Sequence, residues 1–169
     1  MAINFFSGKK DFRSLSNFWE NEVIIDGRVY KSGEHAFHGE KFFRLGSQHI
    51  DSQRSALLLD YAKKFLDCDT PALAKKLGGK KGLRLTDDEL TLWSSLSIDV
   101  QKQISQFKFD TYPQVKDDLI KSAGKILVHP AMRCAHPEKC FWEGKFVDGA
   151  VVGANHLGNI WMHLRDNHF

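Results

Sequence analysis

Glu34, His38 and Lys41 follow one another at spacings of four and three residues, and on a helix these spacings bring all three within about 60° of one another. A carboxylate, an imidazole and an ammonium on one stripe can stabilise a developing positive charge, orient or deprotonate a water, and hold an anion. Ala36 and Phe43 point the opposite way on the same wheel, so the far side of the helix can enter a core. By spacing alone, the plainer reading is an exposed polar face with an ordinary ion pair.

Two other groups of residues have chemical potential. His129, Cys134, His136 and Cys140 supply two imidazoles and two thiols, a legitimate zinc ligand set. Their Cys-x-His-x3-Cys spacing is not one of the usual finger or ribbon spacings, so ordinary loop residues are expected, with no metal and no cofactor. Lys75, Lys76, Lys80, Lys81 and Arg84 concentrate positive charge; the reading adopted is a solvated helix end and loop, the rival a phosphate-binding patch.

The elements that must position these residues are legible from turn and cap chemistry. Asp26-Gly27 between Ile24-Ile25 and Val29-Tyr30 signals a β-hairpin. Thr70-Pro71 reads as an N-cap with a first-turn proline, and Thr86 to Glu89 as a capping box. Gly78-Gly79 ends the helix that begins at Pro71. Trp93, Leu96, Val100, Ile104 and Phe107 recur at helical spacing and form a buried stripe. Asn155 can cap a last helix whose apolar line is Leu157, Ile160, Trp161 and Leu164. These elements predict an α+β fold: a mainly helical single domain, residues 1–169, with one small β-sheet built from the hairpin, Ile3 to Phe6 and Lys125 to His129.

A chain of 169 residues fits one compact domain and leaves no room for a second catalytic one. With 42% hydrophobic and 27% charged residues, a packed core is expected and disorder is not. The N-terminus lacks a basic segment followed by a long apolar run, and no apolar stretch approaches the roughly 20 residues of a membrane span. A cytoplasmic protein with no membrane partner is the expectation. Three cysteines, Cys68, Cys134 and Cys140, suggest no secreted disulfide framework. A net charge of +3 is too balanced to announce nucleic acid.

Ser16-Asn17-Phe18, then Asp26-Gly27-x-x-Tyr30, then Ser32-x-Glu34-His35-Ala36-Phe37-x-x-x-Lys41-Phe42 resemble, in order, the N-terminal blocks of the NADAR (YbiA-like) family. Trp93 and Lys108-Phe109 stand where that family has its middle tryptophan and its Lys-Phe pair. Trp142-x-Gly144, then Gly153-x-Asn155-x-Leu157-Gly158-x-x-x-Met162-x-Leu164-Arg165, is similar to its closing motif. The resemblance implies an N-glycosidase, a hydrolase acting on ribosylamino-pyrimidine intermediates of riboflavin synthesis or on ADP-ribosylated guanine. Its partner would then be a nucleotide or ADP-ribosyl substrate, including ADP-ribosylated nucleic acid.

On that resemblance Glu34 is the catalytic carboxylate and Lys41 its partner. Asn17, His38, Trp142, Gly153 and Asn155 are the expected substrate-binding residues: Asn17 for base or ribose, Trp142 as a stacking platform. Gly153 and Asn155 open the last helix, whose free N–H groups would receive a phosphate. Arg165, late in that helix, is left outside the site. Two acids that the family pattern carries late in the chain are absent, since His129 and Lys139 stand at those places. Glu138, Glu143 or Asp148, in a loop longer than the pattern, then become the possible general acid. The missing acids also leave open a noncatalytic module that binds ADP-ribose or a related nucleotide. The oligomeric state is not readable from the sequence.

Overall fold

The computed structural model describes all 169 residues. Its chain divides into two compact units, one made of Met1–Trp19 and Ser105–Phe169, the other of Glu20–Ile104. The mainly helical α+β class expected from the sequence is what the structure has. No helix is long and apolar enough to cross a membrane.

The Glu20–Ile104 unit begins with the hairpin β2 (Val23–Ile25) and β3 (Arg28–Tyr30), which pair antiparallel. Asp26 and Gly27 turn it with φ of 49° and 79°, the doubly left-handed turn that an Asp-Gly pair favours. Helix α1 (Gly33–Gln48) follows directly, its first N–H groups met by the Ser32 N-cap, whose hydroxyl accepts from the His35 N–H. Asp51 caps α2 (Ser52–Ala62) by accepting from the N–H groups of Gln53 and Arg54. The short α3 (Lys64–Asp67) leads to α4 (Pro71–Gly78), which has the expected Thr70 cap and Pro71 at its start and ends where Gly78-Gly79 predicts. The capping box before α5 (Asp87–Thr111) is complete: Thr86 N–H donates to Glu89 and Glu89 N–H donates back to the Thr86 hydroxyl. Along α5, Trp93, Val100 and Ile104 are buried, whereas Leu96 and Phe107 are half-buried.

In the other unit β1 (Ala2–Asn4) runs parallel to β4 (Ile126–Val128), Ala2 opposite Ile126. Ile3, Phe5, Leu15, Phe109, Leu127, Leu157, Trp161 and Leu164 form its core with α6 (Pro113–Lys121) and α7 (His156–His168). The apolar line predicted for the last helix is buried throughout. Two polar side chains tie this core together. Trp161 donates its indole N–H to the Leu15 carbonyl at 2.9 Å. Arg165 is buried and donates to the Ser122 and Lys125 carbonyls at 2.9 and 2.8 Å, so it closes the C-terminus of α6 rather than its own helix.

The single sheet expected from the sequence is not formed. The hairpin β2–β3 is a separate pair from β1–β4, and a third pair joins β5 (Lys145–Val147) to β6 (Ala150–Val152). That second hairpin also turns on an Asp-Gly pair, Asp148 and Gly149, with φ of 50° and 82°. The same Asp-Gly signal thus marks both hairpins.

Candidate functional site

Helix α1 brings Glu34, His38 and Lys41 together, as the wheel geometry requires. His38 donates from Nε2 to a Glu34 carboxylate oxygen at 2.9 Å, and both side chains are only 12% exposed. This carboxylate is sheltered yet reachable, the condition under which a charge acts strongly on a neighbouring cation. Lys41 is buried, and its ammonium donates to the Gly78 carbonyl at 2.5 Å rather than to Glu34. Burial pushes the Lys41 pKa down to about 8, and the Glu34 charge pulls it partly back. Glu34 therefore acts on Lys41 through space, while its direct partner is the imidazole.

Gly78 is the reason these side chains fit. A Cβ there would lie 2.2 Å from His38 Nδ1, so the end of α4 closes on α1 only because position 78 has no side chain. The same contact leaves His38 Nδ1 buried without a hydrogen-bond partner. Around His38 stand Phe37 and Phe65, with ring centroids 5.4 and 6.3 Å away, and Phe37 meets Trp93 at 5.1 Å. Ala36 is buried as expected, but Phe43 is only half-buried. The Arg28 guanidinium lies 4.5 Å from its ring centre, and the core position behind the stripe belongs to Phe42.

Glu34 and His35 are adjacent in the chain and have different roles. His35 is fully buried and spans Ser32 Oγ at 2.7 Å and the Cys68 carbonyl at 2.9 Å. A carbonyl can only accept, so Nε2 carries the proton and Nδ1 accepts from the serine hydroxyl. Burial lowers the His35 pKa, and the ring is a neutral clasp between the start of α1 and the end of α3.

Sequence reasoning missed Glu40. It has no exposed surface, and it accepts two 2.8 Å hydrogen bonds from Arg28, one of 2.5 Å from the Tyr30 hydroxyl and two, of 3.2 and 3.4 Å, from Arg44. The carboxylate holds the Arg28 pKa above its usual value, and burial together with this bond raises that of Tyr30. The signal was available: Arg28 and Tyr30 alternate onto one face of β3, and Glu40 and Arg44 are one helical turn apart.

The remaining residues expected in the site lie in the other unit. Asn17 is half-buried in the turn after Leu15. Trp142 is half-buried, packed against the core of its unit, with its ring 5.0 Å from Phe141. Asn155 is buried and does not cap α7 with its side chain. Its amide donates to the Leu127 carbonyl at 2.9 Å and accepts from the His129 N–H at 3.0 Å.

Most of the N–H groups expected to be free at the start of α7 are engaged. Those of Ala154, Asn155, His156 and Leu157 donate to the carbonyls of Cys140, Glu143, Phe141 and Trp142. The loop before β5 caps this helix and occupies four of the donors that a phosphate could use. Gly153, at φ 94°, is pressed against the carbonyls of Pro137 and Glu143 in the same closure.

Of the three loop acids, Glu138 is exposed beside His136 at 3.3 Å, Asp148 forms the exposed tip of a hairpin, and Glu143 is half-buried. No group of three or more His, Cys, Asp or Glu side chains is arranged to hold a metal. Cys134 and Cys140 are paired as a disulfide and Cys68 is free.

Residues 5–167 match the model of the NADAR domain. The chain is 25% identical to the N-glycosidase YbiA of Escherichia coli over 97% of its own length and 86% of that protein. It is 24% identical to an N-glycosidase of Nostoc punctiforme, covering 98% and 92%. It is 27% identical to the chloroplastic riboflavin biosynthesis protein PYRR of Zea mays, covering 96% of this chain but 24% of that longer one. The NMR structure of E. coli YbiA superposes with a TM-score of 0.67 at 24% identity, over 99% of this chain and 84% of that one. A family match over nearly the whole chain, with a shared fold, settles the kinship: this chain belongs to the NADAR domain family.

Proposed function

We propose that the chain is a hydrolase that breaks the bond between ribose C1 and nitrogen in a nucleotide-like substrate, either a ribosylamino-pyrimidine or an ADP-ribosylated guanine. One observation carries this reading: a sheltered Glu34 carboxylate, oriented by His38, beside the buried ammonium of Lys41. Departure of the nitrogen leaves an oxocarbenium-like sugar, by analogy with hydrolysis at oxygen. Glu34 faces that charge and takes a proton from the water whose oxygen bonds to C1. The departing nitrogen takes up a proton from solvent, so the bond broken and the bond formed balance. The closed start of α7 argues against Gly153 and Asn155 as phosphate receivers.

The test is incubation with each substrate class and a mass readout of the products, repeated with Glu34→Gln. Release of free base, reduced by roughly two orders of magnitude or more in the variant with binding retained, is the expected result. A second reading is a noncatalytic nucleotide-binding module, favoured by the exposed positions of Glu138 and Asp148. Recovery of intact ligand would support it.

A further inference from the structure

Between Pro71 and Thr86 the chain carries Lys75, Lys76, Lys80, Lys81 and Arg84 and no acidic residue. The ion pairs of this unit are made by Asp26, Glu34, Glu40, Asp60, Asp69 and Glu89, and none of them involves Lys76, Lys80 or Lys81. All three lysines are exposed. Charge alone would describe a solvated surface, but the backbone beneath it is built into the Glu34 site. Gly78 accepts from the Lys41 ammonium and touches the His38 ring.

Beyond Gly78 the loop is fixed at several points. Gly82 N–H donates to the Gly79 carbonyl at 3.1 Å, folding the segment into a turn. The Tyr61 hydroxyl donates to the Leu77 carbonyl at 2.6 Å, and a Cβ on Gly82 would collide with both of those groups. Arg54 donates to the Arg84 carbonyl at 2.9 Å. Two residues of chain span at most about 7 Å and three about 11 Å. Lys80 and Lys81 are thus carried on an anchored loop one side-chain length from Gly78, whose carbonyl and Cα are already part of the site.

We propose that the Gly78–Gly82 turn is the phosphate-binding loop of this site, with Lys80 and Lys81 meeting the phosphate of the nucleotide whose ribose lies at Glu34. This rests on the N-glycosidase reading for its substrate, but the phosphate contact is measurable without turnover. The loop presents two strongly hydrated ammonium groups with no competing carboxylate, which suits a phosphate as a point-charge partner.

The experiment uses Lys80→Ala, Lys81→Ala and the double variant, all at exposed positions. Binding of inorganic pyrophosphate by calorimetry should weaken roughly tenfold for each lysine removed and should weaken with added salt. Where turnover is measurable, KM for a phosphorylated substrate should rise by a similar factor with kcat kept, and KM for its dephosphorylated form should not move. Absence of any N-glycosidase turnover would remove the reaction while leaving the pyrophosphate titration decisive. Failure of the parental protein to bind pyrophosphate, or equal binding by the double variant, would overturn the proposal. So would loss of single-stranded DNA binding with pyrophosphate binding intact, because the lysines would then serve a polymer backbone instead.

Discussion

Glu40→Gln removes one negative charge from a position with no exposed surface. The carboxylate it replaces accepts from Arg28 through both oxygens, from the Tyr30 hydroxyl and from Arg44. Glutamine keeps a single acceptor oxygen, and its amide nitrogen must face a guanidinium that can only donate. Breaking a buried charge network in this way costs about 3–5 kcal/mol. In a chain of this size each kcal/mol corresponds to roughly 2–4 °C, so the midpoint should fall by about 6–20 °C. Urea unfolding of Glu40→Gln, Arg28→Met and the double variant would measure both the loss and the coupling. The double variant should lose at least about 1 kcal/mol less than the sum of the single losses, since it removes a partner along with the charge. A Glu40→Gln protein within about 1 kcal/mol of the parent, or strictly additive losses, would show that this network does not hold β3 to α1.

Gly78→Ala should leave the fold largely intact but push His38 away from Glu34, because the added Cβ would lie 2.2 Å from Nδ1; a crystal structure with an unmoved His38–Glu34 bond would contradict this. The Lys41 pKa, lowered to about 8 by burial, should appear as a basic limb in kcat/KM, activity falling as pH rises through about 8 and the ammonium is lost. A pH profile of Lys41→Met should lack that limb and lie lower throughout. Lys108 is fully buried with its ammonium on the Ser16 carbonyl at 2.9 Å, and burial lowers its pKa to about 7. Below about 7 both the folded and unfolded chains hold this proton. Between about 7 and 10.5 only the unfolded chain does, so stability should rise with pH there by up to about 1.4 kcal/mol per unit. Lys108→Met should flatten that rise in denaturation curves taken across the window.

Legibility followed the range of the interactions. Caps and turns depend on residues two to four apart, so the α4 start at Thr70-Pro71, the Thr86–Glu89 box and the first Asp-Gly hairpin were all readable. The stripe of Glu34, His38 and Lys41 was readable for the same reason. Long-range partners were not: in one unit Lys41 meets Gly78 across 37 residues, and in the other Asn155 meets Leu127 across 28, distances at which no local periodicity carries information. The pairing of strands failed similarly, because an apolar segment of three residues does not encode which neighbour it will find. The start of α7 shows a subtler limit. The position of its N-cap was visible, but the Asn155 side chain turns to Leu127 and His129 instead, and the carbonyls of a preceding loop take most of the helix donors.

The parallel pairing of β1 with β4 has a consequence for the order in which the protein is made. Ala2 finds its partner at Ile126, so the N-terminal strand emerges roughly 120 residues before the strand it will bind. At about 5–20 residues per second of synthesis, that strand waits about 6–25 s with its edge unsatisfied. All of Glu20–Ile104 leaves the ribosome during that interval, so the unit bearing Glu34 can condense before the other holds its first strand pair. Ribosome-bound chains stalled once residue 104 has cleared the exit tunnel are therefore the species in which that unit should first resist proteolysis, while Met1–Trp19 remains cleavable.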